Sequence, residues 1–510
     1  MQYANRFDIE LQGVFETREK DWRNGAVVYQ VLVDRFAPAA DLAAKRHLYP
    51  APKTLHPWQE TPAKGRYLPE HRLWSHELAF WGGDLASTAA RLGYVQDLGA
   101  DVLYLNPIFH ALTNHKYDAL DYLQVSPEYG TRADVRALAD DLHGRGMKLV
   151  LDGVFNHMGR NSKFFQKAQA DENSHYRDWF VFDASFEGGA RAWWRAQNLP
   201  ELNLENPRVR EHIYAAHDSV LRSYLRDGVD GWRLDVAFDI GFVFLEQLTR
   251  ASHQEKSGSL VVGEIANYPK EWFPSVDAVM QFVLRGLTLR LVDGELDAPT
   301  YGRMLTRLVE ETGIENMLKS WIYLDNHDTP RLATTVPDRA ARRLAQVLQF
   351  TLPGSPNLYY GSELDMAGGD DPEMRAPMRW DLATPDNATL QWTRQLIRLH
   401  REHRALRVGN YRPICSNRLL AFERYTDRAA DTVLVIANPG DTEISETLMV
   451  ANSKLMDSTR LVDLLDPTSH GAEIRVRAAL LQLTMPPRSV RVLKPDTEPD
   501  GGYSSYKRVR

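Results

Sequence analysis

Short runs of β-branched and apolar residues recur along the chain. Each is ended by polar, aromatic or glycine residues and followed by a stretch in which apolar positions return every three or four residues. Eight such runs stand at 27–33, 102–105, 148–152, 229–235, 260–264, 278–282, 321–324 and 357–360, and segments such as 134–143 and 208–225 between them carry the helical period. Near-continuous apolar runs alternating with amphipathic helices predict a parallel sheet covered on both faces. Eight of them predict an α/β fold, a (β/α)8 TIM barrel over 27–157 and 199–404. The sixth run is the shortest and passes straight into the apolar segment 284–291.

The irregularities in spacing add domains. A βα unit takes about 30 residues, and Asp235 lies more than two such units beyond Asp152. The excess, 158–198, is polar and aromatic, with Phe164, Phe165, Trp179, Phe180, Trp193 and Trp194, and is expected to form a small subdomain in the loop after the third strand. A second long loop, 37–80, follows the first strand and is rich in Pro, His and Tyr. Past residue 405 the pattern becomes one of alternating strands, as at 419–425, 432–438, 475–484 and 489–493, which predicts a C-terminal antiparallel β-sandwich over 405–495. Residues 1–26 read as an N-terminal extension and 496–510 as a disordered tail.

Composition removes several classes of function. The 510 residues carry 61 Lys+Arg against 68 Asp+Glu, a formal charge of −7, so no basic field is present for nucleic acid. Cys415 is the single cysteine, which forbids an internal disulfide and any cysteine-based metal cluster and suits a reducing compartment. No run approaches the ~20 apolar residues of a membrane span, and the start lacks a basic segment followed by an apolar one. A cytoplasmic protein without a membrane partner is expected; monomer and dimer both remain open.

In a barrel, reactive groups belong at the C-terminal ends of the strands. Four ends stand out: Asp-Gly-Val-Phe-Asn-His (152–157), Gly-Trp-Arg-Leu-Asp (231–235), Gly-Glu-Ile (263–265) and Leu-Asp-Asn-His-Asp-Thr-Pro-Arg (324–331). One strand-ending carboxylate is ordinarily a helix cap. Four strands offering Asp, Arg, Glu and His-Asp to one rim point instead to a reaction that develops positive charge and needs a proton donor. Residues two apart on a strand share a face, so Arg233 stands beside Asp235 and is expected to keep it ionised. Glu264 ends the neighbouring strand, and carboxyl groups on adjacent strands suit the short separation of a retaining glycosidase. His157 and His327 can donate to sugar hydroxyls.

On these residues the sequence resembles the alpha-amylase family, glycoside hydrolase family 13, from Val27 to about Lys494. The four strand ends match, in order, the family's four conserved regions. The resemblance implies that Asp235 is the nucleophile, Glu264 the acid/base and Asp328 the third carboxylate, which binds the 2- and 3-hydroxyls of the sugar at the cleavage site. It carries Arg233, His157 and His327 over as binding residues there, with Arg331 closing the same motif. Tyr117, within Asn-His-Lys-Tyr-Asp (114–118), matches the tyrosine that stacks under that sugar, and Asp118 matches an acidic residue holding the adjacent site together. Further motifs at 28–36, 80–85, 199–203 and 368–381 are similar to the subgroup of neopullulanases, cyclomaltodextrinases, maltogenic amylases and maltodextrin glucosidases.

Two features depart from that subgroup. It usually carries an N-terminal β-sandwich that supports dimerisation, whereas only about 25 residues precede the first strand here. After Asp235, Phe238 and Asp239 stand where a polar residue and Glu are common. Phe238 is expected either to pack under the rim or to offer an apolar face to an incoming sugar. Asn156 matches a position that helps hold calcium in many members, so Ca2+ is possible, although carboxylate chemistry requires no cofactor. The expected activity is hydrolysis of mainly α-1,4 bonds in maltooligosaccharides or related short α-glucans through a covalent glycosyl-enzyme. Glucosyl or maltosyl transfer on the same substrates is the alternative, and a non-enzymatic relative is disfavoured because all three carboxylates are present.

Overall fold

The computed structural model describes residues 6–466, 473–498 and 503–509. Eight parallel strands lie where the apolar runs place them: β1 (Val28–Val31), β2 (Val102–Leu105), β3 (Lys148–Gly153), β4 (Gly231–Leu234), β5 (Leu260–Gly263), β6 (Ala278–Val279), β7 (Trp321–Ile322) and β8 (Ser355–Tyr359). They pair in the order β6-β5-β4-β3-β2-β1-β8-β7. A parallel bridge between Met280 and Trp321 joins the two ends, so the sheet closes into a barrel.

Strand parity sorts the side chains into two cores. Val28, Tyr104, Val150, Val262, Ala278 and Trp321 fill the barrel interior. Their neighbours Val27, Tyr29, Leu103, Leu149, Leu151 and Val261 pack outward against the helices. Because both faces are buried, the strands read as continuous apolar runs, and a charged residue within one must point into the barrel or be paired. The helix Arg132–Gly144 shows the outer layer: Val135, Leu138, Ala139 and Leu142 face the sheet, and the Asp134 carboxylate accepts from the Thr131 amide at 2.7 Å where the helix begins. The segment 208–225, which carries the helical period, is broken. A turn at Pro207–Arg210 runs into a π-helical turn, Glu211–Ala215, and the chain restarts as Val220–Arg226 behind Ser219, a residue suited to a helix start.

The inserted segment after β3 has one α-helix, Lys163–Ala170, and a short 3-10 turn, Arg177–Trp179, and is tied to the barrel by bridges His157 to Glu201 and Ala192 to Pro200. Its core is aromatic: Phe164 stacks on Trp179 at 5.5 Å, and Phe165 meets Phe180 edge-on at 4.9 Å. Ahead of β1, the helix Arg6–Lys20 clasps the barrel's helical layer to the chain that leaves it, Arg18 donating to Glu315 at 2.9 Å and to the Val408 carbonyl at 2.9 Å.

The C-terminal strands are β9 (Asn410–Pro413), β10 (Leu420–Tyr425), β11 (Val433–Asn438), β12 (Ile444–Met449), β13 (Thr459–Asp463), β14 (Ile474–Arg477), β15 (Leu480–Met485) and β16 (Ser489–Pro495). Their antiparallel pairing runs β9-β10-β11-β16-β13-β14-β15-β12. This is one curled sheet rather than the two facing sheets of a sandwich, because β13 pairs with β16 and joins the halves. Alternation again feeds two cores: Leu420, Phe422, Val433 and Val435 face the barrel, while Leu419, Ala421, Leu434 and Ile436 fill the hollow of the sheet. Of the tail expected to be disordered, 503–509 turns back on the sheet, with the Tyr506 hydroxyl accepting from the Met456 amide at 3.0 Å and meeting Thr459 Oγ1 at 2.6 Å. Residues 499–502 and 510 lie outside the described residues. No helix among the described residues is long and apolar enough to cross a membrane.

Candidate active site

A pocket of about 570 Å³ opens at the C-terminal ends of the barrel strands, lined among others by Tyr117, His157, Asp235, Glu264, Asp328, Asp371 and Arg375. A wider groove of about 1290 Å³ runs along the helix Ala388–Glu402, on the outside of the barrel and away from the strand ends. The smaller pocket therefore holds the candidate chemistry.

Register builds the centre. Arg233 on β4 is paired alongside Asp152 on β3, and both have the parity that points inward. The Arg233 guanidinium is fully buried and reaches three carboxylates: Asp152 at 3.0 Å, Asp235 at 3.1 Å and Glu264 at 3.0 Å. Asp235 and Glu264 sit one residue past their strands, each amide still held by the neighbouring strand, Asp235 N to Gly153 O at 3.1 Å and Glu264 N to Leu234 O at 3.0 Å. The next residue, Val236, has φ 41°, a left-handed conformation that a β-branched residue adopts only at a cost. That turn aims the Val236 amide at Glu264, to which it donates at 2.9 Å.

A second network fixes the other wall. Tyr104 and Tyr117 donate to Asp152 at 2.6 and 3.0 Å. The Tyr117 hydroxyl also meets His327 Nε2 at 2.5 Å, and the two rings stack at 5.5 Å. Gln30 donates to His327 Nδ1 at 2.9 Å, which leaves the ring proton on Nε2, 3.1 Å from Asp328. Arg375 holds Asp328 at 3.2 Å and Asp371 at 3.3 Å, and donates to the His327 carbonyl at 2.9 Å.

Burial governs the charges. It pushes the Asp235 carboxyl well above its ordinary range, the Glu264 charge adds to this, and Arg233 opposes. Arg233 acts in the expected direction, favouring the ionised Asp235, but its one cation is divided among three carboxylates and burial outweighs it. The Asp235 carboxyl therefore takes up a proton more readily than an ordinary aspartate. Burial also lowers His157 to about 3 and drives His327 well below its ordinary value, helped by Arg233, so both rings are neutral. His157 Nε2 lies 3.8 Å from Asp235 and is buried without a hydrogen-bond partner among the described residues. For Asp371, burial opposes the charge, but His76 and Arg375 hold the carboxyl well below its usual range.

Comparison with known proteins matches this geometry to a family. The profile of the alpha amylase catalytic domain covers residues 30–410. The chain belongs to the alpha-amylase family. Neopullulanase 2 of Thermoactinomyces vulgaris is 34% identical over 425 residues, 81% of this chain and 68% of that protein. A cyclomaltodextrinase from Bacillus sp is 31% identical over 436 residues, 82% of this chain and 73% of that one. In structure, the ligand-free cyclic alpha-maltosyl-(1→6)-maltose hydrolase of Arthrobacter globiformis superposes with a TM-score of 0.77 at 28% identity, covering 93% of this chain and all of that one. This alpha-amylase-family chain is accordingly a glycoside hydrolase.

Of the ten residues expected at the site of this family member, Tyr117, His157, Asp235, Glu264 and Asp328 line the pocket, and Arg233 and His327 brace them from behind. Three do not reach it. Asp118 is buried and accepts from Thr113 Oγ1 at 2.5 Å, fixing the turn that carries Tyr117. Arg331 is fully buried, donating to the Met374 carbonyl at 2.9 Å and to the Tyr360 carbonyl, with its guanidinium 4.1 Å from the Tyr359 ring. Phe238 packs against the main core beneath the rim. Phe238→Asn is therefore expected to lower the unfolding midpoint by several degrees and to leave the ratio of transfer to hydrolysis products at high maltose unaltered. A shifted ratio at an unchanged midpoint would return the ring to the acceptor side.

Asn156, the expected calcium donor, is buried with its amide 3.4 Å from His157 Nδ1. Among the described residues no three acidic, histidine or cysteine side chains gather into a metal site, and the carboxylate chemistry itself needs no metal. The pocket also uses residues not expected there: Tyr67, Arg72, Trp74 and Glu77 from the loop after β1, His115, Trp193 and Gln197, and the pair Asp371 and Arg375. That last pair was present in the 368–381 motif as opposite charges four apart.

Proposed function

We propose that the enzyme hydrolyses α-glucosidic bonds, mainly α-1,4, in short maltooligosaccharides with retention of configuration. Asp235 attacks the anomeric carbon while Glu264 protonates the departing glycosidic oxygen. Glu264 then takes a proton from the water that cleaves the glycosyl ester of Asp235, and the two inversions give net retention. Asp328, His157 and His327 bind hydroxyls of the sugar at the cleavage site, Tyr117 lies under its ring, and Arg233 holds the carboxyl groups in register. The observation that carries this reading is the Arg233 guanidinium within 3.1 Å of both Asp235 and Glu264 on the pocket wall. A cytoplasmic setting goes with the proposal; one relative, 32% identical, is named an intracellular maltogenic amylase.

Maltotriose tests it. Glucose and maltose as the products support hydrolysis; longer sugars would mean transfer, and an unchanged chromatogram would overturn the short maltooligosaccharide as substrate. The pH dependence has a fixed sign, because a nucleophile raised by burial ionises late. Activity is lost as pH falls through that raised value, so the acid limb of kcat/KM should lie above the ordinary aspartate value of about 3.9. Undiminished kcat/KM down to that ordinary value would remove Asp235 from the role.

A further inference from the structure

The wall of the pocket facing Glu264 comes from the loop after β1. In the closed barrel β1 lies four strands from β5 in either direction, so this loop rises opposite the strand end that bears Glu264. Within it, Tyr67–Leu68 and Leu73–Trp74 pair as a small antiparallel ribbon. The Tyr67 and Trp74 rings meet edge-on at 5.7 Å, are 46% and 42% exposed, and line the pocket. Flat, half-exposed rings beside a polar pocket are suited to the apolar face of a sugar.

The ribbon also touches the inserted segment. A Cβ placed on Gly188 would lie 2.9 Å from Arg72 Nη1 and 3.2 Å from Gln197 Oε1, so the two walls meet in space that only glycine leaves free. Arg160 supports that meeting point, donating to the Gln197 carbonyl at 2.6 Å and to the Gly188 carbonyl at 3.1 Å. Arg72 makes no ion pair among the described residues, and its Nη1 is buried without a hydrogen-bond partner. With Nη1 packed against the Gly188 turn, the Arg72 side chain still lines a sugar-sized pocket with no acceptor of its own, and its remaining guanidinium N–H groups have one to gain from a ligand.

We propose that the Tyr67–Trp74 ribbon closes the donor end of the pocket and that Arg72 hydrogen-bonds the hydroxyls of the terminal, non-reducing sugar, so that linear α-glucans are taken by that end. The direction rests on the reading of Glu264 as the acid. The leaving part of the substrate lies over the acid, and the glycosyl part, which ends in the non-reducing sugar, extends toward the opposite wall.

The test compares two linear maltodextrins of equal length, one free and one carrying an ethylidene acetal on its terminal non-reducing glucose. The wild-type enzyme should cleave the capped chain about tenfold more slowly or worse, because the cap removes the acceptors and fills the closed end. Arg72→Gly suits the left-handed φ of 57° at that position and should bring the two rates close together, as should Trp74→Ser. Equal rates on both chains in the wild type would overturn the inference while leaving the hydrolase reading intact, and so would a wild-type preference that persists in both variants. No cleavage of the free chain would overturn both.

Discussion

Asp235→Asn and Glu264→Gln should each lower kcat on maltotriose by several orders of magnitude in a protein that still folds, and the two losses should differ in kind. Asp235 forms the bond to carbon, so its loss is felt with every substrate. Glu264 supplies a proton to the leaving group, and a leaving group that needs none bypasses it. On an α-maltosyl fluoride, Glu264→Gln should therefore form the glycosyl-enzyme at close to the wild-type rate and stall at its hydrolysis, seen as a burst of fluoride followed by slow turnover. Proton NMR of the first wild-type product should show the α-anomer. Activity within about tenfold of wild type in either variant, which corresponds to about 1.4 kcal/mol of barrier, would sink the assignment.

Arg233→Met should be the most damaging single change to stability among the site residues. The side chain is fully buried and ion-paired with three carboxylates, and removing one partner of a buried ionic group costs about 3–5 kcal/mol. The pH dependence is set by the sign of the remaining shifts. Asp152 and Asp235 are already raised by burial, with Arg233 acting to lower both. Without the cation they rise further, so the folded state is penalised where they are ionised and relieved as they take up protons. The stability deficit should be largest near neutral pH and shrink as pH falls toward the ordinary carboxylate range. A denaturant titration showing a constant deficit across that range would mean that Arg233 acts through packing rather than charge.

How much of this was legible in the chain depends on which residues are constrained by periodicity. The barrel strands could be found because both of their faces are buried, which leaves a continuous apolar run. Arg233, Asp235 and Glu264 stood out for the same reason, as charges at the ends of such runs. Arg331 and Phe238 were drawn toward the pocket by nearness in sequence to Asp328 and Asp235. One residue past a strand the chain turns, and nearness no longer fixes direction: Arg331 buries its guanidinium among carbonyls and Phe238 joins the core. The Tyr67–Trp74 ribbon was hidden because a long loop has no period to read, and its place opposite Glu264 emerges only from the closed order of the strands. In the C-terminal region alternation marked the strands, but whether they form one sheet or two depended on the pairing of β13 with β16, a contact far apart in sequence.

The two-sided burial of β10 and β11 has a mechanical consequence. Leu420 and Phe422 belong to the barrel's core while Leu419 and Ala421, their immediate neighbours, belong to the hollow of the C-terminal sheet. A strand cannot release one face and keep the other, because any slip of one residue exchanges the two sets of side chains. The two bodies are thus geared together rather than strung on a tether. The sheet serves as a rigid strut against one flank of the barrel, and chain length that contributes nothing to the pocket wall still holds the cylinder that carries it in shape.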